Sequence, residues 1–337
     1  MLRRIICTVM VGIMVCFSVQ CAYAKDIKFK LSHHRPVDSQ LDKDMKRFAA
    51  DIAKATNNRV AIQVFPAGQL GGSEAAMERV SMGAIDMMIG YPNSELDPKL
   101  DIYSMPGIAK DFKDLKKLFN HKSPYMVHLE KVFNGLDLHV LGAYTTAFSG
   151  ACFKVMPNTP KDPNAKHNEK IRVPSINAYR YVAEAVGYMG TPLPWGEVFT
   201  ALQTGVVDGV YGPAAEPIYT TLRDVVKAYI PINTQADMFF LLINQDKFNS
   251  LSTEDQEIMD KVASQLEKSR FEVAEQEQKM WEKRLADHGI ETVQLSNDDL
   301  KKFQSKIQAY SWPKLKKEMG AAFYDETIAA WKSSMEK

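Results

Sequence analysis

Ile27-Lys28-Phe29-Lys30-Leu31 alternates apolar and basic side chains with period two, the pattern of a strand with one buried face. Working outward, Asp38 or Ser39 can cap a helix whose apolar stripe is Leu41, Met45, Phe48, Ala49 and Ile52. Residues 60–65 read as a second strand, ended by Pro66 and Gly68. Ser73 then caps a helix carrying Met77, Val80 and Met82, and residues 85–89 form a near-continuous apolar strand of the kind buried in a parallel sheet. The order is β-α-β-α-β, that of an α/β lobe.

The second half repeats the style without repeating the sequence. Strands are expected at 138–141, near Ile171 and at 206–210, with a helix over 178–186. Two α/β lobes result, as a chain of 337 residues also suggests. Residues 253–288 contain almost no breaker, and Ile258, Val262, Leu266, Met280 or Trp281, and Leu285 recur at helical spacing. A helix that long can lie across both lobes and brace them. Residues 157–170, polar with three prolines, read as a surface loop.

Composition narrows the function classes. The chain is 45% hydrophobic with 42 Lys+Arg against 41 Asp+Glu, which excludes disorder and gives no basic excess for binding nucleic acid. Arg3 and Arg4 precede an apolar run over residues 5–19 and then Ala22-Tyr23-Ala24, the layout of a secretory signal peptide cut after Ala24. The run is shorter than the roughly 20 residues a membrane span needs. Removing Arg3 and Arg4 leaves 40 basic against 41 acidic side chains. Cleavage also removes Cys7, Cys16 and Cys21, so Cys152 stands alone and no internal disulfide forms.

Catalytic signatures are missing: no Gly-x-Ser-x-Gly elbow, no phosphate loop, no Cys-x-x-Cys pair and no His-Glu-x-x-His helix. The sharpest polar cluster is Ser32-His33-His34-Arg35, just past the first strand, where open α/β sheets place ligand contacts. Adjacent histidines on an extended chain point to opposite sides, so they chelate one metal badly. Arg172, in Lys170-Ile171-Arg172-Val173-Pro174, is the second candidate. An arginine at a strand end has the fork geometry to hold a carboxylate through two parallel hydrogen bonds, although the pattern alone also fits a solvated edge arginine.

Three blocks resemble the extracytoplasmic solute receptors of tripartite ATP-independent periplasmic (TRAP) transporters, the DctP family. The first runs from Val64-Phe65-Pro66-Ala67-Gly68-Gln69-Leu70-Gly71 through Glu74 and Arg79 to Gly83-Ala84-Ile85-Asp86-Met87. The others are Lys170-Ile171-Arg172-Val173-Pro174 and Trp195-Gly196-Glu197-Val198-Phe199 continuing to Asp208-Gly209. The resemblance implies a two-lobe periplasmic-binding-protein fold with a hinge, a ligand cleft between the lobes and a long bracing helix near the C-terminus. It also implies a periplasmic monomer that captures a small organic acid for the TRAP membrane permease subunits, without cofactor, metal or nucleic acid. Lobe I is expected over 25–148 and 236–275, and lobe II over 149–235 and 276–337.

By the same resemblance Arg172 grips the ligand carboxylate and Trp195 packs against the ligand, while Ser32, His33, Tyr91 and Asn93 line the facing lobe. Two departures bear on the ligand. Many members carry a second arginine where this chain aligns Phe148, and an asparagine where Val210-Tyr211-Gly212-Pro213 puts glycine. A pocket with one guanidinium, Phe148 and Tyr211 suits a monocarboxylate with an apolar or aromatic body. Alternatives are a dicarboxylate or sugar-acid receptor of the same family, or a receptor feeding a signalling sensor. An exported hydrolase or lyase using His33 or His34 with Glu197 lacks a nucleophile or metal set.

Overall fold

The alternation of the first segment is realised as β1 (Ile27–Ser32), in a computed structural model that describes residues 27–336. The expected signal peptide, residues 1–24, lies outside the described residues. Ser39 caps α1 (Gln40–Ala55), its hydroxyl accepting from the Asp42 amide at 3.3 Å. Leu41, Met45, Phe48 and Ile52 of α1 are buried against the sheet, each contributing roughly 1.5–3 kcal/mol. β2 (Val60–Phe65) pairs in parallel with β1, and α2 (Ser73–Ser81) returns the chain to β3 (Met87–Gly90) on the other side of β1. Gly72 is the residue before α2, and the Ser73 hydroxyl, expected to cap it, donates instead to the Tyr91 carbonyl at 3.2 Å.

A 3₁₀ turn at Pro98–Ser104 and helices α3 (Phe112–Leu118) and α4 (Pro124–Asn134) lead to β4 (Leu138–Phe148), far longer than the expected 138–141. The chain then leaves for a second sheet. Its pieces are β5 (Ala151–Phe153), β6 (Lys170–Val173), α5 (Asn177–Ala185), β7 (Met189–Pro192), α6 (Val198–Thr204), β8 (Gly209–Tyr211), α7 (Ala215–Pro217) and β9 (Ala228–Ile230). It returns as β10 (Ala236–Asn244), followed by α8 (Gln245–Asn249), α9 (Thr253–Asp287), β11 (Glu291–Thr292), α10 (Asn297–Met319) and α11 (Ala321–Met335).

The first sheet has the order β2-β1-β3-β10-β4, with β10 antiparallel to both neighbours. The second has the order β11-β9-β5-β8-β6-β7. Two sheets make two lobes, connected at 148–151, at 230–236 and through α9. β10 is buried along its whole length: Phe239, Leu241 and Ile243 face the α1 side, and Met238, Phe240 and Leu242 face α4, as strand alternation requires. The brace is present as 35-residue α9. Its Glu267 accepts from the Ala143 amide in the first lobe, and its Leu285 packs with Val207 and Tyr229 of the second.

The C-terminal helices differ from the assignment of 276–337 to lobe II. α10 does meet α5, Tyr310 donating to Glu184 at 3.0 Å, yet Trp312 also donates to the Pro106 carbonyl at 3.0 Å. α11 lies on the first lobe, where Phe323, Ile328 and Trp331 pack on its core and Ser334 accepts from the Tyr125 amide at 3.0 Å. The apolar outer surface of α3 and α4 needs a cover, and α11 supplies it.

Candidate functional site

The site forms where the ends of β1, β3 and β10 face the end of β6. β6 sits between β7 and β8; Lys170 at its start is exposed, while Arg172, two residues on and on the same face, is 5% exposed. The Arg172 Nε donates to the Leu193 carbonyl at 2.8 Å. Among the described residues it makes no salt bridge, and burial lowers its pKa to about 10. A dry guanidinium with no anion is costly, and such a group in a cleft marks a place for one. Trp195 opens the turn before α6, its ring centroid 5.6 Å from the Arg172 guanidinium carbon.

Across the gap the loop after β1 is tied to the Pro66–Gly71 turn, the Ala67 and Gly68 amides donating to the carbonyls of Arg35 and His33 at 2.9 Å each. Ala67 and Gly68 both take positive φ, 54° and 70°, which suits the glycine. This fixes Arg35, which donates from Nη2 to Asp237 Oδ2 at 3.2 Å. Asp237 is wholly buried at the start of β10 and also accepts from Tyr91 Oη and, at 2.6 Å, from Thr146 Oγ1. Burial disfavours the Arg35 charge, but the oxygens of Tyr91 and Asp237 outweigh burial and raise its pKa. Its guanidinium carbon lies 5.0 Å from the Phe239 ring and 5.9 Å from the Trp195 ring, so Trp195 is near both arginines.

His34 stacks on Tyr91 at 5.7 Å and meets Phe239 edge-on at 5.6 Å. Burial, followed by the Arg35 charge, pushes its pKa well below the histidine range, so it is neutral at pH 7. The Ser32 hydroxyl is buried without a hydrogen-bond partner. Asn93 is buried in the loop after β3, where its side-chain oxygen accepts from the Glu95 amide at 3.0 Å.

Three expected contacts stand elsewhere. His33 turns toward α1 and sits 3.2 Å from Asp42, leaving the cleft to His34, because neighbours on an extended chain point oppositely. Phe148 packs edge-on against Phe112 at 5.2 Å and lines a groove of about 560 Å³ behind the lobe connections with Gln278 and Glu282, away from Arg172. Tyr211 is buried at the hinge, its hydroxyl donating to Gln235 at 2.7 Å, with its ring 5.7 Å from Tyr179. Gln235 in turn donates to the Ser104 carbonyl. Ser149 follows Phe148, and its buried hydroxyl lies beside Tyr179. His34 and Arg35 belong to the polar cluster expected after β1, whereas Asp237 and Phe239 were not among the expected contacts. The signal for Asp237 was a lone carboxylate opening the apolar run Met238-Phe239-Phe240-Leu241-Leu242-Ile243, which demands a buried partner.

No group of three or more His, Cys, Asp or Glu among the described residues could hold a metal, and no described helix is long and apolar enough to cross a membrane. A curated relative, the C4-dicarboxylate-binding periplasmic protein DctP of Rhodobacter capsulatus, is 27% identical over 234 residues, covering 67% of each chain. A TRAP periplasmic solute-binding protein from Desulfovibrio salexigens, solved with bound orotic acid, superposes with a TM-score of 0.84 at 20% identity over 92% of this chain and 99% of its own. Another from Haemophilus influenzae, solved with L-gulonate, gives 0.82 at 23% identity, covering 92% and 99%. At these identities the solved structures establish the fold. The family description "Bacterial extracellular solute-binding protein, family 7" (DctP) matches residues 31–318, and the chain belongs to that family of TRAP solute receptors.

Proposed function

We propose that this receptor is exported by a cleaved signal peptide and binds, as a non-enzymatic monomer, a small monocarboxylate with an apolar or aromatic body. It then delivers the acid to its membrane permease. The observation that carries this reading is the charge count at the cleft. Arg172 is unpaired, Arg35 is matched by Asp237, and His34 is neutral. One guanidinium without an ion pair, its charge offset in part by Glu74, accommodates one carboxylate, while a second would be buried without a free cation. The rings of Trp195, His34, Tyr91 and Phe239 offer the remaining surface to an apolar body. A second reading, a hydroxylated sugar acid, is favoured by the buried, unpartnered hydroxyl of Ser32 at the end of β1. Both are monoanions, so the same count admits both.

Mass spectrometry of acid that co-purifies with the protein, followed by a thermal-shift panel, tests the proposal. Aromatic and branched monocarboxylates, orotate and gulonate should raise the melting temperature more than succinate or malate, because ligand bound only to the folded state stabilises it. Greater stabilisation by succinate or malate than by every monocarboxylate would overturn it.

A further inference from the structure

We infer that Asp237 is a specificity-determining positioning residue: held by hydrogen bonds from Tyr91 and Thr146, its carboxylate offsets the charge of Arg35, so that a pocket built with two arginines presents only one to the ligand. This rests on the monocarboxylate reading above. Asp237 is wholly buried and its two oxygens take hydrogen bonds from three side chains, on the loops after β1 and β3 and on β4. Its acceptor sites are largely filled, so it serves the protein and not a cationic ligand group. Arg35 is held in place by the same pair and by the faces of Phe239 and Trp195 at 5.0 and 5.9 Å. Only one of its five N–H donors is used on Asp237, so Arg35 remains a hydrogen-bond donor without a net charge to offer. Neutral oxygens of a ligand suit it; a second carboxylate does not.

A cycle of variants separates this from the alternative, in which Arg35 is itself a ligand-charge partner. The probes are benzoate with phthalate and butyrate with succinate, each pair differing by one carboxylate, measured by thermal shift and calorimetry. Asp237→Asn uncovers the Arg35 charge, and dianion affinity should rise by about tenfold or more relative to the matched monoanion. The double variant Arg35→Gln/Asp237→Asn removes both charges together and leaves neither partner of the pair buried alone. It should lose the gain for dianions, the dianion-to-monoanion affinity ratio returning to about its wild-type value. If Asp237→Asn does not fold, the double variant alone decides. Loss of monoanion binding by about 100-fold in a folded double variant, or no gain for dianions in a folded Asp237→Asn, overturns the inference. A wild type that prefers phthalate and succinate instead sinks the monocarboxylate reading itself, so the two failures are distinct.

Discussion

Replacing Arg172 with methionine should abolish ligand binding and at the same time leave the empty protein as stable as before or more so. The guanidinium is 5% exposed, and burial brings its pKa from 12.5 to about 10, a penalty of roughly 3 kcal/mol on the charged form at pH 7. Methionine fills much of the same space and removes that penalty. Against it stands the Nε hydrogen bond to the Leu193 carbonyl, whose loss costs about 1–2 kcal/mol. The difference favours the variant by about 1–2 kcal/mol. Two charge-assisted hydrogen bonds to a carboxylate contribute about 3 kcal/mol or more, so affinity for the co-purifying acid should fall more than about 100-fold. Arg172→Lys keeps the charge, loses the fork and should fall between wild type and methionine. Thermal melts of stripped protein and calorimetry with the acid give both numbers. A variant that melts well below wild type when empty, yet binds the acid normally, would show that Arg172 is a structural arginine.

Phe148→Arg should leave ligand selectivity unchanged, because the side chain faces Phe112 and the groove behind the lobe connections; a thermal-shift panel in which the variant turns to dianions would place it in the cleft. His121 carries a pH-dependent share of stability: its hydrogen bond to Glu130 at 3.1 Å, opposed by burial and assisted by Glu267, raises its pKa to about 9. The folded value exceeds the unfolded one, so this stability is complete below about pH 6.5 and is lost as pH rises through about 9. Urea melts should therefore show a gap between wild type and His121→Gln at pH 6 that closes by pH 10, and a gap that widens would reverse the sign. The lobes should close on ligand about 148–151 and 230–236, so X-ray scattering should give a smaller radius of gyration with saturating acid than without, and identical curves would refute closure.

The local elements were legible because their signals are local. Period-two alternation in Ile27–Leu31 and the helical stripe of α1 each lie within one element, and the pair Arg172–Trp195 came from two intact blocks of resemblance. β10 was not read as a strand, since its continuous burial comes from β3 and β4 pairing around it. Asp237 and Arg35 are separated by 202 residues, so nothing in the sequence pattern around either announces the other. The placement of Phe148 away from Arg172 has a defined cause. Asp237 pairs with Ala147 and Met238 with Thr145, so Thr146 is an extra residue on β4. A bulge of that kind reverses the alternation beyond it, turning Phe148 to the back while Thr146 reaches Asp237.

The unpaired charge on Arg172 also bears on when the receptor closes. In the present arrangement Trp195 of the second lobe lies 5.9 Å from Arg35 of the first, and Arg172 behind it is nearly dry. Parting the lobes returns water to the guanidinium, and its desolvation therefore opposes closure of an empty cleft. The opposition scales with the share of that burial which closure itself supplies. A bound carboxylate replaces the lost water with charge-assisted hydrogen bonds and removes the opposition. A ligand shifts such an equilibrium only by its differential affinity for the two states, and here one contact supplies it. A neutral side chain at 172 lacks this opposition, whereas the arginine ties part of the stability of the closed shape to a bound anion. A permease that recognises the closed shape would then need no contact with the ligand to tell a loaded receptor from an empty one.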